Sequence, residues 1–169
     1  MRAGRLMRHA AALHLKTRWC FAPGTLRAIE AAIARAERAH GGEIRFAIET
    51  SLPPRRILAD ITPRMRALEV FSLLRVWDTE HNNGVLIYVL MADRSVEIVA
   101  DRGVSGRVSG DEWGAVCRMM EEHFREGRFR EGSTTGIDAV GGLLARHFPA
   151  SPAQRARSPN ELPDQPTLL

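Results

Sequence analysis

The stretch Asn82-Asn83-Gly84-Val85-Leu86-Ile87-Tyr88-Val89-Leu90-Met91 decides the fold. From Val85 to Met91 no polar break occurs, the pattern of a central strand covered on both faces by helices. A short turn around Asp93-Arg94 leads to Val96-Glu97-Ile98-Val99-Ala100. With so few linking residues these two strands should pair antiparallel as a hairpin. Upstream, Ile44, Phe46 and Ile48 alternate with Glu43, Arg45 and Glu49, which predicts a half-buried strand with its charges outward. Between the two lie the Pro53-Pro54 loop and a helix opened by Thr62-Pro63, whose buried side should hold Met65, Leu68, Phe71 and Leu73 or Leu74.

Helices flank this core on both sides in sequence. Thr25 can cap a helix with the apolar face Leu26, Ile29, Ile33 and Ala36, ended by Gly41-Gly42. Ser109-Gly110-Asp111-Glu112 is a capping box, and the helix it starts should bury Trp113, Val116, Cys117, Met120 and Phe124 before Gly127 breaks it. A last helical segment from Phe129 carries Ile137, Val140, Leu143, Leu144 and Phe148, and Pro149 stops it. The order helix, strand, helix, strand, strand, helix, helix implies an α/β single domain: a small mixed β-sheet sandwiched between helices (α/β/α). Its first crossover, strand to helix to strand, should be right-handed and parallel.

The organisation reads as a loose basic N-terminal segment, 1–22, an α/β domain, 23–149, and a tail, 150–169, whose prolines and scarce apolar residues predict disorder. At 169 residues one domain is the expectation. The formal charge of +4 is uneven: Arg2, Arg5, Arg8, Lys16 and Arg18 stand in 1–22 without an acid, while 23–149 carries 17 basic against 18 acidic residues. The folded body is therefore no polyanion binder, and nucleic acid is not an expected partner; only residues 1–22 could touch an anionic membrane surface. Neither a signal peptide nor a transmembrane segment is evident, since Arg8, His9, His14 and Lys16 interrupt every apolar candidate near the start. The reading is cytoplasmic. Cys20 and Cys117 form no disulfide framework, and the six histidines show no zinc spacing.

The hairpin has a chemical consequence. It should bring the loop Asp78–Asn83 beside Asp101-Arg102-Gly103, with the helix start at Ser109–Asp111 following directly. Asp78, Glu80, Asn82, Asn83, Asp101 and Asp111 then gather at one edge of the sheet, all hard oxygen ligands of the kind calcium or magnesium takes. The alternative is that these residues shape turns and helix starts. The run from Asp101 to Gly110 passes through glycines into a helix N-terminus, so Arg102, Gly103, Arg107 and Ser109 are candidates for holding an anion. It matches neither nucleotide-binding glycine pattern.

The run from Arg75 to Val89, with Asn82-Asn83-Gly84-Val85-Leu86 at its heart, resembles the Asn-Asn-Gly-Val-Leu signature of the TPM domain family. Asp93-Arg94, Val96-Glu97-Ile98 and Asp101-Arg102-Gly103 support it, as do Phe124, Gly127, Phe129, Gly132 and Gly136-Ile137. The resemblance spans roughly Leu26 to Phe148 and implies an α/β/α sandwich. Members of that family include acid phosphatases, binders of calcium or other divalent ions, and proteins of photosystem repair or receptor modulation. Two departures stand out: no signal peptide or C-terminal anchor is seen, and Asp101-Arg102-Gly103 replaces the family's glycine-tyrosine-glycine. The leading functional expectation is a module that binds a divalent cation or a protein partner. A metal-assisted phosphomonoesterase using Asp78, Asp101 and Arg102, and an adaptor at the inner membrane surface, are the alternatives.

Overall fold

The computed structural model describes residues 2–12, 14–149 and 160–169. Six of the seven apolar residues from Val85 fall in strand β2 (Gly84–Leu90), every residue of which is buried, while Met91 opens the turn after it and is half-buried. It pairs in parallel with β1 (Glu43–Glu49), Val85 facing Ile44, and antiparallel with β3 (Ser95–Ala100), Val85 facing Ala100. A short fourth strand, β4 (Thr167–Leu168), lies parallel on the outer side of β1, giving the order β3-β2-β1-β4.

The two faces of this sheet carry separate cores. On one face Ile44, Phe46, Ile48, Val85, Ile87 and Ile98 pack against α3 (Pro23–Glu37), α7 (Gly110–Arg125) and α8 (Phe129–His147). On the other, Ala47, Leu86, Tyr88 and Leu90 pack against α4 (Pro54–Leu58) and α5 (Pro63–Leu73). The chain is thus a mixed α/β single domain with helices on both faces of its sheet. The capping box at Ser109 is present in full, each partner bonding the other's backbone, and Gly127 ends α7 at φ 79°.

Five expectations need correction. The helix α3 begins at Pro23 with Ala22 at its N-cap and no side-chain cap bond, so Thr25 lies inside its first turn rather than capping it. The helix α5 buries Ala67 and Val70, whereas Met65, Leu68 and Leu73 are exposed. Its sequence is almost evenly apolar around the axis, so the face toward the sheet is chosen by which residues can approach the strands closely, and small Ala67 and Val70 can. Strand β1 is buried on both sides, Glu43 and Glu49 included. Glu49 survives burial because Arg66 of α5 clamps it through two hydrogen bonds, Nε at 2.8 Å and Nη2 at 3.1 Å, and Tyr88 Oη donates to it at 2.6 Å.

The N-terminal segment is packed rather than loose. It forms α1 (Arg2–Ala11) and α2 (His14–Cys20), with Cys20 and Phe21 inside the core. Asp93, in the β2–β3 turn, holds α1 through Arg5 Nη2 at 2.7 Å and His9 Nε2 at 3.1 Å, while His9 Nδ1 accepts Leu52 N–H at 2.9 Å. Residues 160–169, read as disordered, are docked along β1: Leu162 and Pro166 are buried and Leu169 N–H donates to Ile48 O at 2.9 Å. Their composition is poor in apolar residues, yet the outer edge of β1 offers unpaired backbone groups that a passing extended segment satisfies. Residues 150–159 of the expected tail lie outside the described residues. No helix among the described residues is long and apolar enough to cross a membrane.

Candidate functional site

The strand starts of β1 and β2 and the end of β3 meet at one edge of the sheet, and the loop before β2 is folded tightly onto it. Thr79 organises this loop: its carbonyl accepts Asn82 N–H at 3.2 Å and its hydroxyl accepts Asn83 N–H at 3.1 Å. Asn82 sits in the left-handed region at φ 52°, which asparagine tolerates better than most residues. Its carbonyl accepts Gly103 N–H at 3.0 Å, and a Cβ on Gly103 would come within 2.4 Å of that oxygen. Only glycine allows this approach. Gly84 is required in the same sense, since a Cβ there would lie 2.0 Å from Val76 O.

Asp101 follows directly from β3 and is bound to the start of β2 by its N–H, 2.9 Å from Gly84 O. Its Oδ1 accepts Arg102 N–H at 2.7 Å and caps the single turn α6 (Arg102–Ser105), while Oδ2 is buried with no hydrogen-bond partner. Asn83 donates from Nδ2 to Gly41 O, and its Oδ1 is likewise buried and unpartnered. Arg102, exposed, reaches back with Nε to Asn82 Oδ1 at 3.0 Å. Asn82, Asn83, Asp101, Arg102 and Gly103 are therefore brought together. Two buried oxygens without donors at one edge are unusual, because nearly all such groups find partners in folded proteins.

The other expected residues are exposed or bonded elsewhere. Asp78 and Glu80 are exposed on the same loop, and Glu80 uses its N–H to bond Glu161 Oε2 at 2.8 Å. Asp111 lies on the exposed first turn of α7. Ser109 is committed to its capping box, and Arg107 lies over the Phe148 ring at 4.8 Å and donates to His147 O at 3.3 Å. Among the described residues no group of three or more His, Cys, Asp or Glu side chains is placed to hold a metal ion. Cys117 is partly buried in its helix stripe, and burial pushes its thiol up to about 12.

Two neighbours at this edge were not singled out from the sequence. His40 is buried, accepts Gly42 N–H on Nδ1 at 3.1 Å, and leaves Nε2 unpartnered; burial pushes its pKa down to about 4. Glu43 N–H donates to Asn83 O at 3.2 Å, and burial pushes its carboxyl up to about 7 against the lowering effect of the Leu162 N–H it accepts. Nothing local marks either residue: His40 follows a helix with no ligand at regular spacing, and Glu43 reads as an outward strand position.

Comparison with known proteins gives a consistent picture. The family model of the TPM domain matches residues 18–143. The chain is similar to the BA42 protein of the psychrophilic bacterium Bizionia argentinensis, solved by NMR, at 32% identity and a TM-score of 0.74, over 86% of this chain and 93% of that one. It is similar in fold to the N-terminal domain of a P. gingivalis protein, also solved by NMR, at 20% identity and a TM-score of 0.55, over 75% and 78% of the two chains. No curated protein matches the sequence.

Proposed function

This chain belongs to the TPM domain family, and from that premise we propose that it is a binding module that takes a hard divalent cation at the edge formed by the Asp78–Asn83 loop and Asp101. The observation that carries this reading is the pair of buried, donorless oxygens, Asn83 Oδ1 and Asp101 Oδ2, on adjoining strand ends. A cation such as calcium or magnesium would satisfy an oxygen of this kind, and calcium sites draw freely on amide and backbone oxygens as well as carboxylates. A bound ion would supply positive charge to this edge and fix the loop on it. Asp101 would be the one carboxyl ligand of the two, with Asp78 and Glu80 exposed on the loop before β2.

The test is calorimetry and thermal melting of the full chain in calcium, magnesium and manganese. Asp101→Asn keeps the cap acceptor for Arg102 N–H but removes the charge. Binding by the natural chain with at least about tenfold weaker binding by this variant, a difference of about 1.4 kcal/mol, is the expected result. No response to any of the three ions would sink the reading.

A second reading, a metal-assisted phosphomonoesterase, is favoured by one observation: exposed Arg102 stands beside Asp101 with a guanidinium able to meet a phosphate. Metal-dependent hydrolysis of an aryl phosphate, lost in Arg102→Ala while cation binding persists, would support it. The anionic-membrane reading draws less support, since Arg5 and Arg8 of the basic segment turn to Asp93.

A further inference from the structure

We propose that the outer edge of β1 is a peptide-acceptor site working by strand addition, that residues 160–169 are its resident ligand, and that the same segment of a second copy can take the seat. This inference does not depend on the cation reading. The seat has three parts. Backbone pairing sets the register, Ala47 opposite Thr167 and Ile48 opposite Leu168. Two apolar anchors flank it: Leu162, buried to 5% exposure, and Leu169, which packs on the core formed by Ala47, Leu86 and Tyr88. A cation reads the backbone between them. Arg45, projecting from β1, donates to Pro163 O, to Gln165 O at 2.8 Å and to Thr167 Oγ1 at 2.7 Å.

This is how edge strands recognise extended peptides in general: main-chain pairing supplies adhesion and spaced pockets supply selectivity. The seat therefore calls for an extended segment with an apolar residue, a free run of carbonyls for Arg45, a Thr hydroxyl two residues after the last of these carbonyls, and a second apolar residue. Two further contacts fix the leading end, Leu162 N–H on Glu43 Oε2 at 3.2 Å and Glu161 Oε2 on Glu80 N–H. That end of the segment touches the loop before β2, so occupancy of the seat bears directly on how this loop is held.

Exchange is the expected behaviour for two reasons. The strand itself is only two residues, Thr167 and Leu168, with few ladder bonds to break. Ten residues, 150–159, separate the docked segment from the end of the helical domain at Pro149, a contour of up to roughly 35 Å that permits reaching a neighbouring copy. Tethering makes the chain's own segment a strong competitor, with effective concentrations on the order of millimolar for short links.

The experiment titrates a fluorescent peptide of residues 160–169 against the full chain by anisotropy. The natural chain should bind weakly, because its own segment competes. The full-length double variant Leu162→Asp, Leu169→Asp should vacate its seat and bind the peptide at least about tenfold tighter. Adding Arg45→Ala should abolish most of that gain. Absence of peptide binding by a double variant that retains the natural circular dichroism, or binding indifferent to Arg45→Ala, overturns the proposal. Hydrogen exchange on the natural chain tests it without any substitution. The Leu169 amide should exchange far faster than the amides of β2, and equal protection would make the segment a permanent strand and contradict the inference.

Discussion

Glu43 shows how single residues tie stability to pH at this edge. Its carboxyl is buried between β1 and the 160–169 segment, and burial holds it protonated up to about 7, with Glu161 and Asp164 nearby pushing the same way. The folded value lies above the unfolded one near 4.5, so the native state binds the extra proton between them. Its contribution to stability is present below about pH 4.5 and is lost as pH rises through about 7, a change on the order of 2 kcal/mol. Glu37, which accepts Ile44 N–H at 2.7 Å and is pushed by burial to about 9, extends the same trend upward. Glu43→Gln keeps an acceptor for Leu162 N–H and cannot ionise. Urea melts from pH 4.5 to 8 should show the natural chain losing stability relative to this variant as pH rises; parallel curves would refute the assignment. At this scale the sequence was informative where chemistry is local. Asn82-Asn83-Gly84 and Asp101-Arg102-Gly103 could be read as neighbours because a hairpin brings them together, and Gly103 and Gly84 prove to be needed for close backbone approach. The burial of Glu43 and Glu49 could not, because their partners Leu162 and Arg66 come from elements distant in the chain.

Elements with strong local signals formed as their sequences dictate. The Ser109–Glu112 box starts α7, the left-handed Gly127 ends it, and Thr62 caps α5 by accepting Met65 N–H at 3.1 Å. Replacing Ser109 by Ala should cost about 1 kcal/mol in a denaturant melt, the usual worth of such a cap. A cost near zero would mean that the cap does not limit α7. The faces of α5 and the docking of α1 are set at longer range. Asp93 sits in the β2–β3 turn, and the acid-free 1–22 segment finds there the carboxylate that Arg5 and His9 require. Arg5 and the hydrogen bond from His9 hold the Asp93 carboxyl below its usual range, against the opposing effect of burial. Asp93→Ala leaves buried His9 and Arg5 without their partner. It should destabilise by a few kcal/mol and unfasten α1 first, seen as earlier amide exchange in residues 2–11 than in β2. Uniform loss across the fold would contradict this order.

For the whole molecule, the decisive feature was legible from the start: an unbroken apolar run can be a strand in water only if helices shield both its sides, and β2 is shielded in this way. Ile87 is fully buried at the middle of it, so Ile87→Asp should cost several kcal/mol, whereas Glu97→Gln on half-open β3 should cost well under 1 kcal/mol. The fourth strand was not legible, because two residues of Thr-Leu carry no periodicity and gain their partner from Arg45, 122 positions earlier. The sheet that results places two strand starts and one strand end at a single edge, with Asn83 Oδ1 and Asp101 Oδ2 buried there without donors. The claim that this edge binds a divalent cation is tested most directly by a calcium titration followed through amide resonances of the intact chain. Saturable shifts concentrated at residues 79–84 and 101–103, absent in Asp101→Asn, are the expected result. Shifts spread over the acidic surface without saturation, or none at these residues, would contradict it.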